Sequence, residues 1–328
     1  MDMIRLICGL ICGLIIWSCS SSESEEKTQG NLTSVKIERL DEQLFAFETA
    51  GDLQQFLAKN PTYTRSFYRA FAEDTAFVNH LFYIFNQPDS KKFYEEVRES
   101  YGDLSNLEQQ FSAAFARINE QFPDFKPPKV VATFTGLEND VYVSDSVVYI
   151  ALEAFAGPEA SYRPQQPNYI LRRYDKEFIV PTIVRFISDK YNRSSETDNS
   201  LLGDMLYFGK AFEFTASVLP DIKQSTIIAY PDSSMDQVQN AEGIIWAHFI
   251  DNELLFEQNR RVKERYIGER PAVPEIGPAC PGRIGQWLGW QIVQAYRMEN
   301  PDTSLAQLME KTDVQEMLRN SKYRGGVE

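Results

Sequence analysis

The sequence predicts an α+β fold, a mostly helical single domain around a small antiparallel sheet. Three observations predict it. Apolar residues recur at helical spacing through most of residues 41–121 and 178–300. Two β-branched runs, 129–135 and 141–152, flank the turn-forming Gly136-Leu137-Glu138-Asn139-Asp140. Pro123, Pro127 and Pro128 separate the first helical stretch from those strands, because proline lacks the N–H that a continuing helix needs.

In chain order, residues 35–39 alternate apolar and polar and read as a short strand. Residues 41–59 and 64–85 read as helices. Phe45, Phe47, Leu53 and Phe56 supply the apolar face of the first, and Phe67, Phe71, Phe77 and Phe82 that of the second. Asp89, just after Pro88, is expected to cap a helix running to Glu99, and residues 104–121 complete the helical half. The two β-branched runs are expected to pair as a β-hairpin. Helices follow over 178–192, 201–219, 235–259 and 284–300, and a last one starts at Ser304 and fades before Tyr323.

Composition narrows the function. The 328 residues carry 33 basic and 47 acidic side chains, a net charge of −14, which argues against nucleic acid and anionic lipid surfaces as partners. Arg5 precedes an apolar run over residues 6–17, too short to span a bilayer and of the length of a signal-peptide core. The run ends in Ile16-Trp17-Ser18-Cys19, which resembles the bacterial lipobox: an aliphatic residue three places before a cysteine, and a small one at the cut. The expected organisation is a signal peptide over 1–18, a lipid-modified Cys19 opening a flexible acidic tether over 19–34, and a globular domain over 35–328. Two or more acyl chains hold a protein at a membrane at about 0.8 kcal/mol per buried methylene. The acidic Ser-Glu-Ser-Glu-Glu run after Cys19 also resembles a surface-export signal, so display on the outer surface stands beside a periplasmic face. Cys8 and Cys12 leave with the signal, so the domain holds one cysteine, Cys280, and no internal disulfide is expected.

Catalytic chemistry is hard to place. Zinc needs three ligands, mostly histidine, and the chain has two, His80 and His248, on separate predicted helices without an H-E-x-x-H motif. No G-x-S-x-G elbow is present. His248 lies in a segment apolar nearly all round, so it reads as a satisfied core histidine, as does His80. Cys280 reads as buried and inert, or as a reactive thiol if a base stands beside it. Glu253 and Glu257 form an i,i+4 like-charge pair that reads as solvated charge. The densest local signal is Gly277-Pro-Ala-Cys-Pro-Gly-Arg-Ile-Gly-Gln-Trp-Leu-Gly-Trp290. Gly285 and Gly289 leave one helix face bare for a close neighbour, and Trp287 and Trp290 supply bulk. Arg283, in the first turn, gives the same segment a second reading as an anion site. These five residues are the candidate structural or partner site.

The block GRIGQWLGWQIVQAYRMENP (282–301) closely resembles the C-terminal block of the GldB-type gliding-motility lipoproteins of Bacteroidetes. QPNYILRRYDKEFIVP (166–181), LLGDMLYFGKAFEFTASVLPD (201–221), IWAHFIDNELLF (245–256) and TDVQEMLRNSKY (312–323) agree, so the resemblance spans nearly the whole chain. The segment Ile150-Ala-Leu-Glu-Ala-Phe-Ala-Gly157 differs from the family pattern at its acidic and aromatic positions, and His248 stands where an aromatic residue is expected. The family in turn resembles predicted zinc metallopeptidases with H-E-x-x-H on a helix. Carried onto this chain, that motif places Arg185 and Asp189 at the two histidine positions and Phe208 at the downstream ligand. Arginine and phenylalanine cannot bind zinc. The resemblance therefore implies a degenerate zincin-like fold without metal or other cofactor, in which Arg185 and Asp189 form an ion pair.

The function so implied is a non-catalytic lipoprotein of the cell envelope, on the periplasmic face of the outer membrane or at the surface. It would support gliding motility and type IX secretion by stabilising other gliding or secretion components. A metal-independent hydrolase and a solute- or glycan-binding lipoprotein are the alternatives.

Overall fold

A computed structural model describes residues 34–326, which form one α+β body with a continuous apolar core. The calls on residues 1–18, on Cys19 and on the tether up to residue 33 lie outside the described residues. No described helix is long and apolar enough to cross a membrane.

Strand β1 (Ile37–Arg39) opens the domain, followed by α1 (Leu40–Leu44), α2 (Ala50–Lys59), a π-helical turn over Thr62–Phe67, α3 (Thr75–Asn86), α4 (Pro88–Tyr101) and α5 (Ser105–Gln121). The two long helices expected over 41–59 and 64–85 are each broken. Thr49 caps a fresh start by accepting from the Asp52 N–H at 3.2 Å, and Arg69 adopts a left-handed φ of 55°. Helix α4 begins two residues earlier than expected: Pro88 takes the first helical position and Asp89 sits in the first turn rather than at the cap.

The sheet corrects one expectation. It has four strands, β2 (Lys129–Thr133), β3 (Val141–Val143) and β4 (Val147–Ala151) joining β1 in the order β1-β2-β4-β3. The β1–β2 and β2–β4 pairs are parallel and only β3–β4 is antiparallel, so the sheet is mixed. Gly136–Asp140 is therefore not a hairpin turn; the hairpin lies at Ser144–Ser146, between β3 and β4. The physical reason is burial. All of β4 and all but the first residue of β2 are buried, and a strand covered on both faces reads as a continuous apolar run, as parallel strands do. Glu153, 1% exposed, holds the released 135–137 turn: its Oε1 accepts from the Thr135 N–H (2.6 Å), the Thr135 hydroxyl (2.8 Å) and the Leu137 N–H (3.3 Å).

The second half is helical: α6 (Asn168–Leu171), α7 (Ile179–Ser188), α8 (Leu201–Val218), α9 (Gln224–Ile228), α10 (Asp232–Asn240), α11 (Glu242–Asp251), α12 (Arg260–Ile267), α13 (Ile284–Glu299), α14 (Leu305–Glu310) and α15 (Val314–Ser321). The single helix expected over 235–259 is two helices and a 3₁₀ turn, because Glu253 turns left-handed with φ 53°. Glu253 and Glu257 consequently share no helix face. Helix α11 is not enclosed either. Only its Ile245 and Phe249 ridge is buried, while Ile244 is 68% and Ile250 45% exposed. His248 is half-buried with Nε2 3.1 Å from the Tyr266 hydroxyl, and His80 is exposed in an ion pair with Glu138. Neither is a core histidine.

Candidate functional site

Helices α8 and α13 cross at two glycines. A Cβ on Gly289 would lie 1.9 Å from the Met205 carbonyl oxygen, and one on Gly209 would lie 2.5 Å from the Gly289 carbonyl. Gly285 meets the Tyr266 carbonyl and Ile267 at 3.2 Å in the same sense. Trp287 and Trp290 are fully buried. The Trp290 indole N–H donates to Glu213 Oε2 at 3.0 Å, while Arg297 donates to Glu213 Oε1 at 2.6 Å and to the Ser217 hydroxyl at 2.9 Å. These four members of the predicted site thus fill the interior and hold α13 against α8 and α12.

The fifth, Arg283, does something else. It sits at the N-cap of the sixteen-residue α13 in a left-handed conformation, φ 60°, and is 5% exposed. Its guanidinium lies over the Tyr230 ring, 5.2 Å from the centroid, and Tyr230 is fixed by donating to the Gly282 carbonyl at 2.6 Å. Gly282 is required there, since a Cβ would come 1.9 Å from the Arg270 carbonyl oxygen. Arg283 shares a narrow cleft with Arg173 and Arg185, walled by Phe178, Pro181 and the end of α9. Counting its open mouth, the cleft holds about 320 Å³ of free space. Among the described residues Glu269 is the carboxylate paired with this cluster, and Asp189 adds its charge beside Arg185. Glu269 accepts two parallel bonds from Arg173, both 2.6 Å, and its Oε1 lies 3.4 Å from Arg283 Nε. Burial, and then the neighbouring Arg173, push the Arg283 pKa down to about 10 and lower that of Arg185.

The three positions of the lost zinc motif are not brought together as ligands. Arg185 is half-buried on α7 and turns to the arginine cleft. Asp189 lies just past the end of α7, where its Oδ1 accepts from the Tyr207 hydroxyl at 3.0 Å. Phe208 is half-buried and packs against the core from α8. The expected Arg185–Asp189 ion pair is absent among the described residues, because α7 stops at Ser188 and Asp189 finds Tyr207 instead. Among the described residues no three His, Cys, Asp or Glu side chains come together as a metal set. Cys280 is buried, and burial pushes its thiol pKa up to about 12, so it is held as the unreactive thiol.

Sequence reasoning missed Arg173 and Glu269. Arg173 lies inside the 166–181 block, but nothing in its spacing from Arg185 or Arg283 announces that the three converge. Lys210, 3% exposed on α8, was also missed. It donates to the carbonyls of Arg193, Met309 (3.3 Å) and Lys311 (2.7 Å) and ties three distant segments together.

A family model described as gliding motility protein GldB matches residues 21–325, nearly the whole chain. No curated protein and no solved structure matches it.

Proposed function

The chain belongs to the gliding motility protein GldB family, and on that premise we propose that it is a non-catalytic envelope lipoprotein that works by stabilising partner components. Family membership makes it an envelope lipoprotein of a gliding-motility family. The finer reading is that it sits at the outer membrane through Cys19 and supports both gliding and type IX secretion by holding other lipoproteins or secretion proteins in place. The observation that carries the non-catalytic part is the fate of the three zinc-motif positions. Arg185 cannot coordinate a metal, Phe208 has no donor atom, and Asp189 is already engaged by Tyr207. On this reading the fold descends from a metallopeptidase whose ligands were replaced, and its remaining work is done by position and contact.

The test pairs a deletion strain with the purified protein. Deletion is expected to abolish surface spreading or type IX cargo release and to lower the steady-state level of co-purifying envelope lipoproteins. Complementation with Asp189→Ala is expected to restore all three. Stoichiometric zinc in the purified lipoprotein, lost in Asp189→Ala together with function, would overturn the reading. So would a deletion strain whose spreading, secretion and partner levels are all unchanged.

A further inference from the structure

We infer that the cleft between α7, the end of α9 and the start of α13 is a binding site for a phosphate-class dianion, held by Arg173, Arg185 and Arg283. The first argument is donor accounting. Arg283 is buried, yet among the described residues none of its guanidinium N–H groups makes a hydrogen bond to protein; its nearest acceptor is Glu269 at 3.4 Å, outside bonding geometry. Arg185 likewise donates to no described group, its guanidinium stacking over Phe186 with the centroid 5.4 Å away. Arg173 spends both terminal nitrogens on Glu269, and its buried Nε has no partner. Buried donors of this strength are nearly always satisfied, and a charged one left unsatisfied is among the most costly arrangements a fold can hold. Of the three, Arg283 is buried while Arg173 and Arg185 are half-buried, and all three border one space.

Charge decides the class of occupant. Three guanidiniums against Glu269, with Asp189 at longer range beside Arg185, leave the cleft net positive in a chain whose net charge is −14. The first turn of α13 adds to that potential, since it has no side-chain cap and no acidic residue. Against it stand Glu269, Asp189 at longer range and the carbonyl end of the five-residue α9. A bound oxyanion offsets that charge. Arginine forks match the paired oxygens of a phosphate, and Glu269 keeps Arg173 oriented without occupying the other two. The enclosed space is small, about 20 Å³, and excludes anything of nucleotide size. Inorganic phosphate and the head of a phosphomonoester present the same chemistry here.

The test uses the full-length lipoprotein in detergent and does not depend on the scaffold reading, because its readout is binding to purified protein. Titration with inorganic phosphate in buffer of matched ionic strength is expected to give saturable one-to-one binding and a rise in Tm that grows with phosphate concentration. Arg185→Gln and Arg283→Gln are each expected to weaken binding at least tenfold, while Arg260→Gln, on exposed α12, leaves it unchanged. Arg185 breaks no protein hydrogen bond, so Arg185→Gln carries the test if Arg283→Gln misfolds. Glycerol 3-phosphate that competes with phosphate identifies a monoester site, and failure to compete identifies the free ion; both support the inference. It is overturned by an absence of saturable binding up to roughly 10 mM phosphate, by undiminished binding in Arg185→Gln, or by tighter binding of acetate or succinate than of phosphate.

Discussion

Gly289 on α13 lies against Met205 on α8 so closely that a single added methyl would sit 1.9 Å from the Met205 carbonyl oxygen. The contact is backbone on backbone, with no flexible side chain to give way. Gly289→Ala is therefore expected to force the two helices apart and lower stability by about 3 kcal/mol, at the upper end of overpacking costs. Urea unfolding of wild type and variant measures it. A loss below about 1 kcal/mol would mean that α8 and α13 do not approach as described.

Glu153 gives a pH dependence whose sign is opposite to that of an ordinary paired carboxylate. Burial pushes its pKa up to about 7, against an ordinary value of 4.5, although Thr135 and Leu137 donate to one oxygen. Its other oxygen, Oε2, has no partner. Below 4.5 the folded and unfolded chains both hold the proton; between 4.5 and about 7 only the folded chain does; above 7 neither does. Its contribution to stability is thus full at low pH and declines by about 3 kcal/mol as pH rises through that window. Glu153→Gln removes the titration, so the stability difference between variant and wild type should move in the variant's favour from pH 4.5 to pH 8. Parallel pH profiles for the two proteins would refute it.

Lys210 is expected to be a structural cation. Its ammonium feeds three carbonyls from residues 193, 309 and 311, and burial pulls its pKa down to about 8. Lys210→Met keeps the aliphatic stem and takes the ammonium donor from the Arg193 and Lys311 carbonyls, while Met309 keeps the Arg193 N–H at 2.9 Å. A loss of about 3 kcal/mol follows, at roughly 1–3 kcal/mol for each buried group left unsatisfied. Hydrogen exchange should quicken first over α14 and α15, which Lys210 ties to α8; uniform exchange across the domain would argue against a local tie.

The proposed membrane attachment rests on one atom, the Cys19 sulfur. Cys19→Ser is expected to move the protein from the membrane fraction to the soluble fraction of the envelope, or to leave it unprocessed, with the domain still folded by circular dichroism. Retention in the membrane at wild-type levels would show that something other than the lipid holds it.

Much of the fold was legible because local signals are strong where they exist. The boundaries of α5, α8 and α13 fall within a residue or two of the apolar periodicity, and Ser304 opens α14 with a capping box to Gln307. The failures share one cause. The sheet direction, the break at Glu253 and the exposure of α11 depend on which face a neighbour covers, and a run such as Val147-Val148-Tyr149-Ile150 is apolar whether its partner strand runs parallel or antiparallel. In the candidate site, Gly285, Trp287, Gly289 and Trp290 announced themselves by composition. Arg173 did not, because an arginine pair in a loop is ordinary until a distant helix end closes over it.

By itself the sequence determined the family and the helical frame, since these rest on short-range patterns: long family blocks and apolar residues spaced for one helix face. Only the tertiary structure decided what the arginines do. Arg173, Arg185 and Arg283 stand up to 110 positions apart in a chain dominated by acid, and nothing local tells an arginine whether it will meet a carboxylate or two others like itself. Packing α7 and α13 around Tyr230 and Gly282 made that choice, and it turned three ordinary surface-type residues into one partly buried, net positive cleft.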